Sequence, residues 1–141
     1  MKYIKIKLLL SFLLLFSTKS LFAQFTVNYN LPSLIGFNYE FNAGFIPEVR
    51  IGTNTPIDVS NIEALLNYGF IKKPEYTFYA GIGLDYNKNQ SSGLIPIGVN
   101  IYPFEKKAFG FQMETGPELS FDGVFRIIGR AGIRYRFLKN E

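Results

Sequence analysis

The stretch FGFQMETGPELSFDGVFRIIGRAGIRYRF, Phe109–Phe137, decides the fold. Side chains alternate along a strand, so its first half sends Phe109, Phe111, Met113, Leu119 and Phe121 to one side. Gly110, Gln112, Glu114, Gly116, Glu118 and Ser120 go to the other. Its second half repeats the split, with Phe125, Ile127, Ala131, Ile133, Tyr135 and Phe137 against Arg126, Arg130, Gly132, Arg134 and Arg136; Ile128 breaks the pattern. Between the halves, Phe121-Asp122-Gly123 has the composition of a three-residue hairpin loop with Gly123 left-handed. That loop sets Glu118 opposite Arg126 and Glu114 opposite Arg130, and the neighbouring register of the same parity loses both pairs.

Outward from this hairpin, the same alternation continues back to Gln24, with no helical period of useful length. Phe37, Tyr39 and Phe41 oppose Asn38 and Glu40; Tyr76, Phe78, Ile82 and Leu84 oppose Thr77, Tyr79, Gly81, Gly83 and Asp85. Eight strands are expected: Phe25–Asn30, Leu34–Phe41, Phe45–Thr53, Ile62–Phe70, Glu75–Tyr86, Leu94–Phe104, Phe109–Ser120 and Val124–Phe137. The alternative for Gln24–Phe41 is one bent strand interrupted at Leu31-Pro32. Tight connections at Asn42–Gly44, Lys72–Pro74 and Glu105–Ala108 alternate with longer ones at Asn54–Asn61 and Asn87–Gly93, and with tight ones at Leu31–Ser33 and Phe121–Gly123. The expected fold is all-β, an eight-stranded antiparallel up-and-down transmembrane β-barrel after an N-terminal signal peptide, with short periplasmic turns and both termini on the periplasmic side.

Alternation alone does not say which face points outward. The kind of charge does. All six lysines after residue 24 (Lys72, Lys73, Lys88, Lys106, Lys107, Lys139) fall in expected turns or at the terminus. The strands carry Arg50, Arg126, Arg130, Arg134 and Arg136 beside Glu40, Glu48, Glu63, Asp85, Glu114 and Glu118. Arginine suits enclosed pairs, because its planar fork binds carboxylates bidentately and is weakly hydrated. These eleven residues read as an ion-pair network filling a narrow lumen, ahead of a stripe of arginines guiding an anion. Tyr29, Tyr68, Tyr76, Tyr86, Tyr102 and Tyr135 lie near strand ends, where an aromatic belt would sit, although Tyr102 has inward parity. The final strand, Gly132-Ile133-Arg134-Tyr135-Arg136-Phe137, resembles that of the small eight-stranded outer-membrane barrels, the outer-membrane β-barrel domain family. The resemblance covers most of the chain after residue 24. It implies that Phe137, with Tyr135 upstream, is an assembly signal read by the barrel-assembly machinery; here Leu138–Glu141 follow that aromatic.

The start of the chain has the form of a secretory signal: Lys2, Lys5 and Lys7, the apolar run Leu8–Phe16, then Ala23 before Gln24. The expected division is a signal peptide over 1–23, cut after Ala23, and an outer-membrane β-barrel over 24–141. The run is shorter than the ~20 apolar residues a spanning helix needs. Four of the fifteen Lys and Arg (Lys2, Lys5, Lys7 and Lys19) lie in residues 1–23 and none of the eleven acids does, so the remainder is formally neutral. The basic charge therefore belongs to targeting, and nucleic-acid binding is excluded.

Without His or Cys, triads and zinc sites that need imidazole or thiolate are closed, as are disulfides and a thiol lipid anchor. Glu114 and Glu118 sit ~13 Å apart along a strand, beyond the ~5–9.5 Å that glycosidases use. Gly81-Ile82-Gly83 lies inside a strand rather than before a helix, so it is no phosphate loop. The reading is a non-enzymatic barrel with no cofactor or metal, in a structural or interaction role. Its expected partners are outer-membrane lipid, the assembly machinery, and an unidentified extracellular or periplasmic partner meeting Asn54–Asn61 or Asn87–Gly93. The alternatives are a narrow ion or small-solute channel, and a soluble periplasmic lipid-binding barrel with its faces reversed.

Overall fold

The computed structural model describes residues 24–55 and 58–138. The expected signal segment, Pro56, Ile57 and Lys139–Glu141 lie outside the described residues. The strands are β1 (Gln24–Asn30), β2 (Leu34–Glu40), β3 (Phe45–Thr55), β4 (Asp58–Lys72), β5 (Tyr76–Asn87), β6 (Ser91–Leu94), β7 (Ile97–Ile101), β8 (Phe109–Ser120) and β9 (Phe125–Phe137). Each pairs antiparallel with the next in space, and β9 returns to β1, with Phe25 opposite Phe137 and Tyr29 opposite Ile133. The sheet is therefore a closed barrel.

Nine strands occupy eight positions, because β6 and β7 both lie between β5 and β8. One expected strand is divided at Ile95-Pro96, where proline has no N–H to give the ladder. The break is bridged: Ile95 N–H donates to Pro117 O at 3.1 Å, and Gly81 N–H donates to Pro96 O at 2.9 Å. Gln24–Phe41, by contrast, is two strands. They turn at Leu31–Ser33, and Ser33 takes a positive φ.

The register fixes the shape. From Asn28, successive partners are Gly36, Arg50, Glu63, Asp85, Ser92 and Ser120, and carrying the β8–β9 and β9–β1 registers onward returns to β1 ten residues out of step, at 38 rather than 28. Eight strands with that offset, at ~3.3 Å per residue and ~4.8 Å between strands, tilt by ~40° and enclose a tube of ~8 Å backbone radius. A tube this narrow is filled by its own side chains.

Gln24 and Leu138, the first and last described residues, lie at one end of the tube, here called the terminus end. The loops differ from expectation. Asn54–Asn61 and Asn87–Gly93 are mostly strand, since Thr55 pairs with Asp58 and Tyr86 with Ser91. Strand pairing uses backbone groups, which continue past the last apolar side chain. The longest described connection, residues 102–108, is at the terminus end, and Tyr102 N–H there donates to Glu75 O at 2.6 Å.

Parity sorts the faces. Outside stand Phe37, Leu66, Ile82, Met113, Ile127 and their neighbours; inside stand Asn28, Glu48, Arg50, Glu63, Asn67, Gln112 and Glu114, all buried. The apolar face is the outer one, so the reversed arrangement is not the one present. Tyr102 points inward, as its parity required.

Closure predicts a specific cross-link. Because the chain lacks Cys, Tyr29→Cys with Ile133→Cys should oxidise to an intramolecular disulfide, since Cα partners in a ladder are within bonding reach. Tyr29→Cys with Ile127→Cys, six residues along β9, should not. Non-reducing gel mobility separates the two, and equal cross-linking would contradict the β1–β9 seam.

Candidate functional site in the barrel interior

Alternating parity aims two charged side chains from β3 and one each from β4, β8 and β9 at mid-height. Arg50 is the centre and is fully buried. Its Nε and Nη2 donate to Glu48 at 2.9 and 3.2 Å, while Nη1 and Nη2 donate to the two oxygens of Glu114 at 2.7 Å each. Glu63 lies 3.6 Å from Nη1. Arg130 forks onto Glu63, with Nη1 at 2.9 Å, and reaches Glu114 at 3.5 Å. The remaining lone pairs are also used: Asn28 and Asn67 donate to Glu48, and Tyr79 donates its hydroxyl to Glu114 at 2.6 Å while accepting from Gln112 at 2.8 Å. Each carboxylate and guanidinium of the centre thus has a partner, which is what makes a buried charge cluster tolerable, while Asn67 Oδ1 and Gln112 Oε1 at its edge stay unpaired.

The register that Phe121-Asp122-Gly123 implies is present, with Gly123 at φ +95° and Glu118 opposite Arg126. Arg126 donates to Glu118 at 2.8 Å. Glu114 is opposite Arg130 as well, yet its closest guanidinium is Arg50, from a strand that does not adjoin β8. In a tube of ~8 Å radius, an arginine spans to the far wall. Neighbour-strand reasoning does not see such pairs.

Two further groups flank the centre. At the terminus end, Glu40 accepts from Arg136 at 3.2 Å and meets Lys72 at 3.3 Å; Arg136 stacks 3.8 Å above the Tyr102 ring, with Arg134 5.6 Å from it. Lys72 is thus the last residue of β4 and joins the network, contrary to its reading as a turn lysine. At the opposite end, Glu63, Asp85, Glu118, Arg126 and Arg130 line a cup of about 510 Å³, walled by Ser33, Leu34 and Ile128. Asn61 donates to Asp85 there at 2.9 Å. Ile128, the break in the β9 pattern, faces this cup.

Every one of the eleven expected lumen residues has inward parity, but they fall into three groups rather than one. Sequence reading missed Asn28, Asn67, Lys72, Tyr79 and Gln112. Inward parity was the available signal for Tyr79, and Gly98 was its complement: a Cβ on Gly98 would sit 2.5 Å from the Tyr79 ring. Among the described residues no group of three or more acids or other ligands could hold a metal ion.

Removing the centre should cost more than removing its rim. Arg50→Met leaves three carboxylates facing one another and should lower stability in detergent by about 3–5 kcal/mol. Tyr79→Phe should cost about 1–3 kcal/mol by leaving Gln112 and Glu114 short of a partner. Arg126→Met, at the open cup, should cost less than about 1 kcal/mol. Urea midpoints of the refolded chain check the order, and an Arg50 variant as stable as Arg126→Met would contradict the centre.

Comparison with protein-family models, with curated proteins and with solved structures finds no match to this chain.

Proposed function

We propose that this chain is an exported protein whose barrel resides in a bacterial outer membrane, closed to diffusion and serving a structural or interaction role. The observation that carries this reading is the ring of aromatic side chains outside the terminus end. It includes a residue from seven of the eight staves and one from the connection that follows β7: Phe25, Tyr39, Phe45, Tyr68, Tyr76, Phe109 and Tyr135, with Phe104, are all exposed. Many touch, as Phe25 does Phe37 and Phe137 with centroids at 6.4 and 5.7 Å, and Phe45 does Tyr68 at 5.4 Å. In water such a belt is an unfavourable exposure of apolar area. At the headgroup level of a bilayer it is the expected girdle.

The dimensions agree. At ~3.3 Å per residue and a ~40° tilt, the twelve residues of β8 rise ~30 Å, the thickness of a hydrocarbon core. The interior supports closure, because Arg50 forks to Glu114 across mid-height and leaves no continuous wide path. In this reading residues 1–23 are the cleaved export signal, Tyr135 and Phe137 present the outward aromatic face read during assembly, and the terminus end is periplasmic. The cup then opens outward and is the concave polar surface available to an external partner.

Envelope fractionation tests the proposal. The chain should be recovered in the outer-membrane fraction, shortened to begin at Gln24, and should change gel mobility on boiling. Phe137→Ser should lower the assembled fraction several-fold. In a planar bilayer the purified barrel should show no sustained ion conductance. Recovery in the soluble fraction with no heat-dependent shift would overturn the membrane assignment, and sustained conductance would replace the closed barrel with a narrow channel.

A further inference from the structure

The three charged groups of the interior are not balanced one by one. The centre and the cup each hold one more carboxylate than guanidinium: Arg50 and Arg130 face Glu48, Glu63 and Glu114, and Arg126 faces Asp85 and Glu118. The terminus end is the reverse, with Arg134, Arg136 and Lys72 gathered around Glu40 alone. Glu40 is already engaged by Arg136 and Lys72. Arg134, 2% exposed, has no ion pair with a carboxylate among the described residues.

The unmet hydrogen bonds concentrate at the same end. Nε and Nη2 of Arg134 and Nε of Arg136 are buried without a partner, and so are Nδ2 and Oδ1 of Asn38 and the hydroxyls of Thr26 and Tyr102; the other unpaired atoms, Oδ1 of Asn30, Asn67 and Asn100 and Oε1 of Gln112, are acceptors. Register places these together: Thr26 is opposite both Arg136 and Asn38, and Arg134 is opposite Asn28 on one side and Gly110 on the other. Gly110 puts no side chain opposite Arg134, and the Tyr102 ring stands beside both guanidiniums, 3.8 Å from that of Arg136 and 5.6 Å from that of Arg134. A guanidinium buried without a counter-charge carries a large desolvation cost, and a native barrel holds it only with compensation.

We propose that the terminus-end third of the lumen is a binding site for one small inorganic anion, held by Arg134 and Arg136 and sealed from the cup by the Arg50–Glu114 bridge. The anion accepts from the free N–H groups of Arg134 and from Nε of Arg136, with Asn38 Nδ2 and the Thr26 hydroxyl as further donors. Halide or a compact oxyanion fits this donor set. A bulky organic anion does not, because the atoms involved are fully enclosed. The inference depends on the closed interior alone and not on where the barrel resides.

The test uses the chain from Gln24 onward, refolded in detergent, with unfolding temperature followed as bromide replaces gluconate at constant ionic strength. Bromide should raise the midpoint by about 5 °C at saturation, as a ligand of the folded state does. Arg134→Met should abolish that dependence, while Lys106→Met, which removes an exposed cation from the same end, should keep it. Crystals grown in bromide should show an anomalous peak within hydrogen-bonding distance of Arg134. This measurement stands on the parent chain should Arg134→Met fail to fold. No bromide dependence in the parent chain, an equal shift in Arg134→Met, or water in place of the anomalous peak would overturn the site.

Discussion

Closing eight staves ten residues out of step leaves a tube whose opposite walls are within one arginine's reach. Most of the interior follows from that narrowness. Inward side chains cannot be hydrated individually, so a charge placed there meets a partner beside it, as Arg126 does Glu118, or across the tube. Arg50 does so with Glu114, whose strand is not its neighbour, and Arg130 does so with Glu63. Glycine makes the geometry sterically possible where a ring must lie flat, as at Gly98 beneath Tyr79.

The same narrowness explains what the sequence discloses and what it withholds. Parity is local, so the outward and inward sets, the Phe121-Asp122-Gly123 hairpin and the inward turn of Tyr102 are legible from neighbouring residues. The register of β8 with β9 is legible too, because turn composition fixes it. Pairing across the lumen is not local: the Arg50–Glu114 contact joins residues 64 apart on non-adjacent staves, and only the closed radius brings them together. Strand ends are also poorly marked. Polar side chains around Asn54–Asn61 look like loop, yet their backbone continues the ladder. For the same reason Lys72 stays in strand and swings to Glu40.

The aromatic ring illustrates a different gap. Tyrosines near strand ends are visible in the sequence, but they scatter to both ends: Tyr29 and Tyr86 lie away from the termini, and Tyr102 turns inward. The continuous girdle at the terminus end is built largely of phenylalanine, and it becomes a ring only when tilt and register bring Phe25, Phe45, Phe104 and Phe109 to one level. A one-dimensional pattern has no coordinate for height. The offset of ten residues supplies it.

The charged interior has a further consequence for how one register is chosen. Replacing a buried ion pair by apolar groups is often neutral or stabilising, so this network is weak grounds for extra stability. It is stronger grounds for specificity. A slip of one residue along β9 would carry its four arginines to the apolar outer face, where, with the barrel in lipid as proposed, each would cost about 2–4 kcal/mol at mid-depth. A slip of two residues keeps the faces but separates Glu118 from Arg126 and withdraws Arg130 from Glu63, leaving buried carboxylates without partners. An outer face of Phe, Ile and Leu offers no comparable discrimination, because one apolar contact replaces another as the strand slides. The inward charges therefore select the register that the outward apolar residues could not.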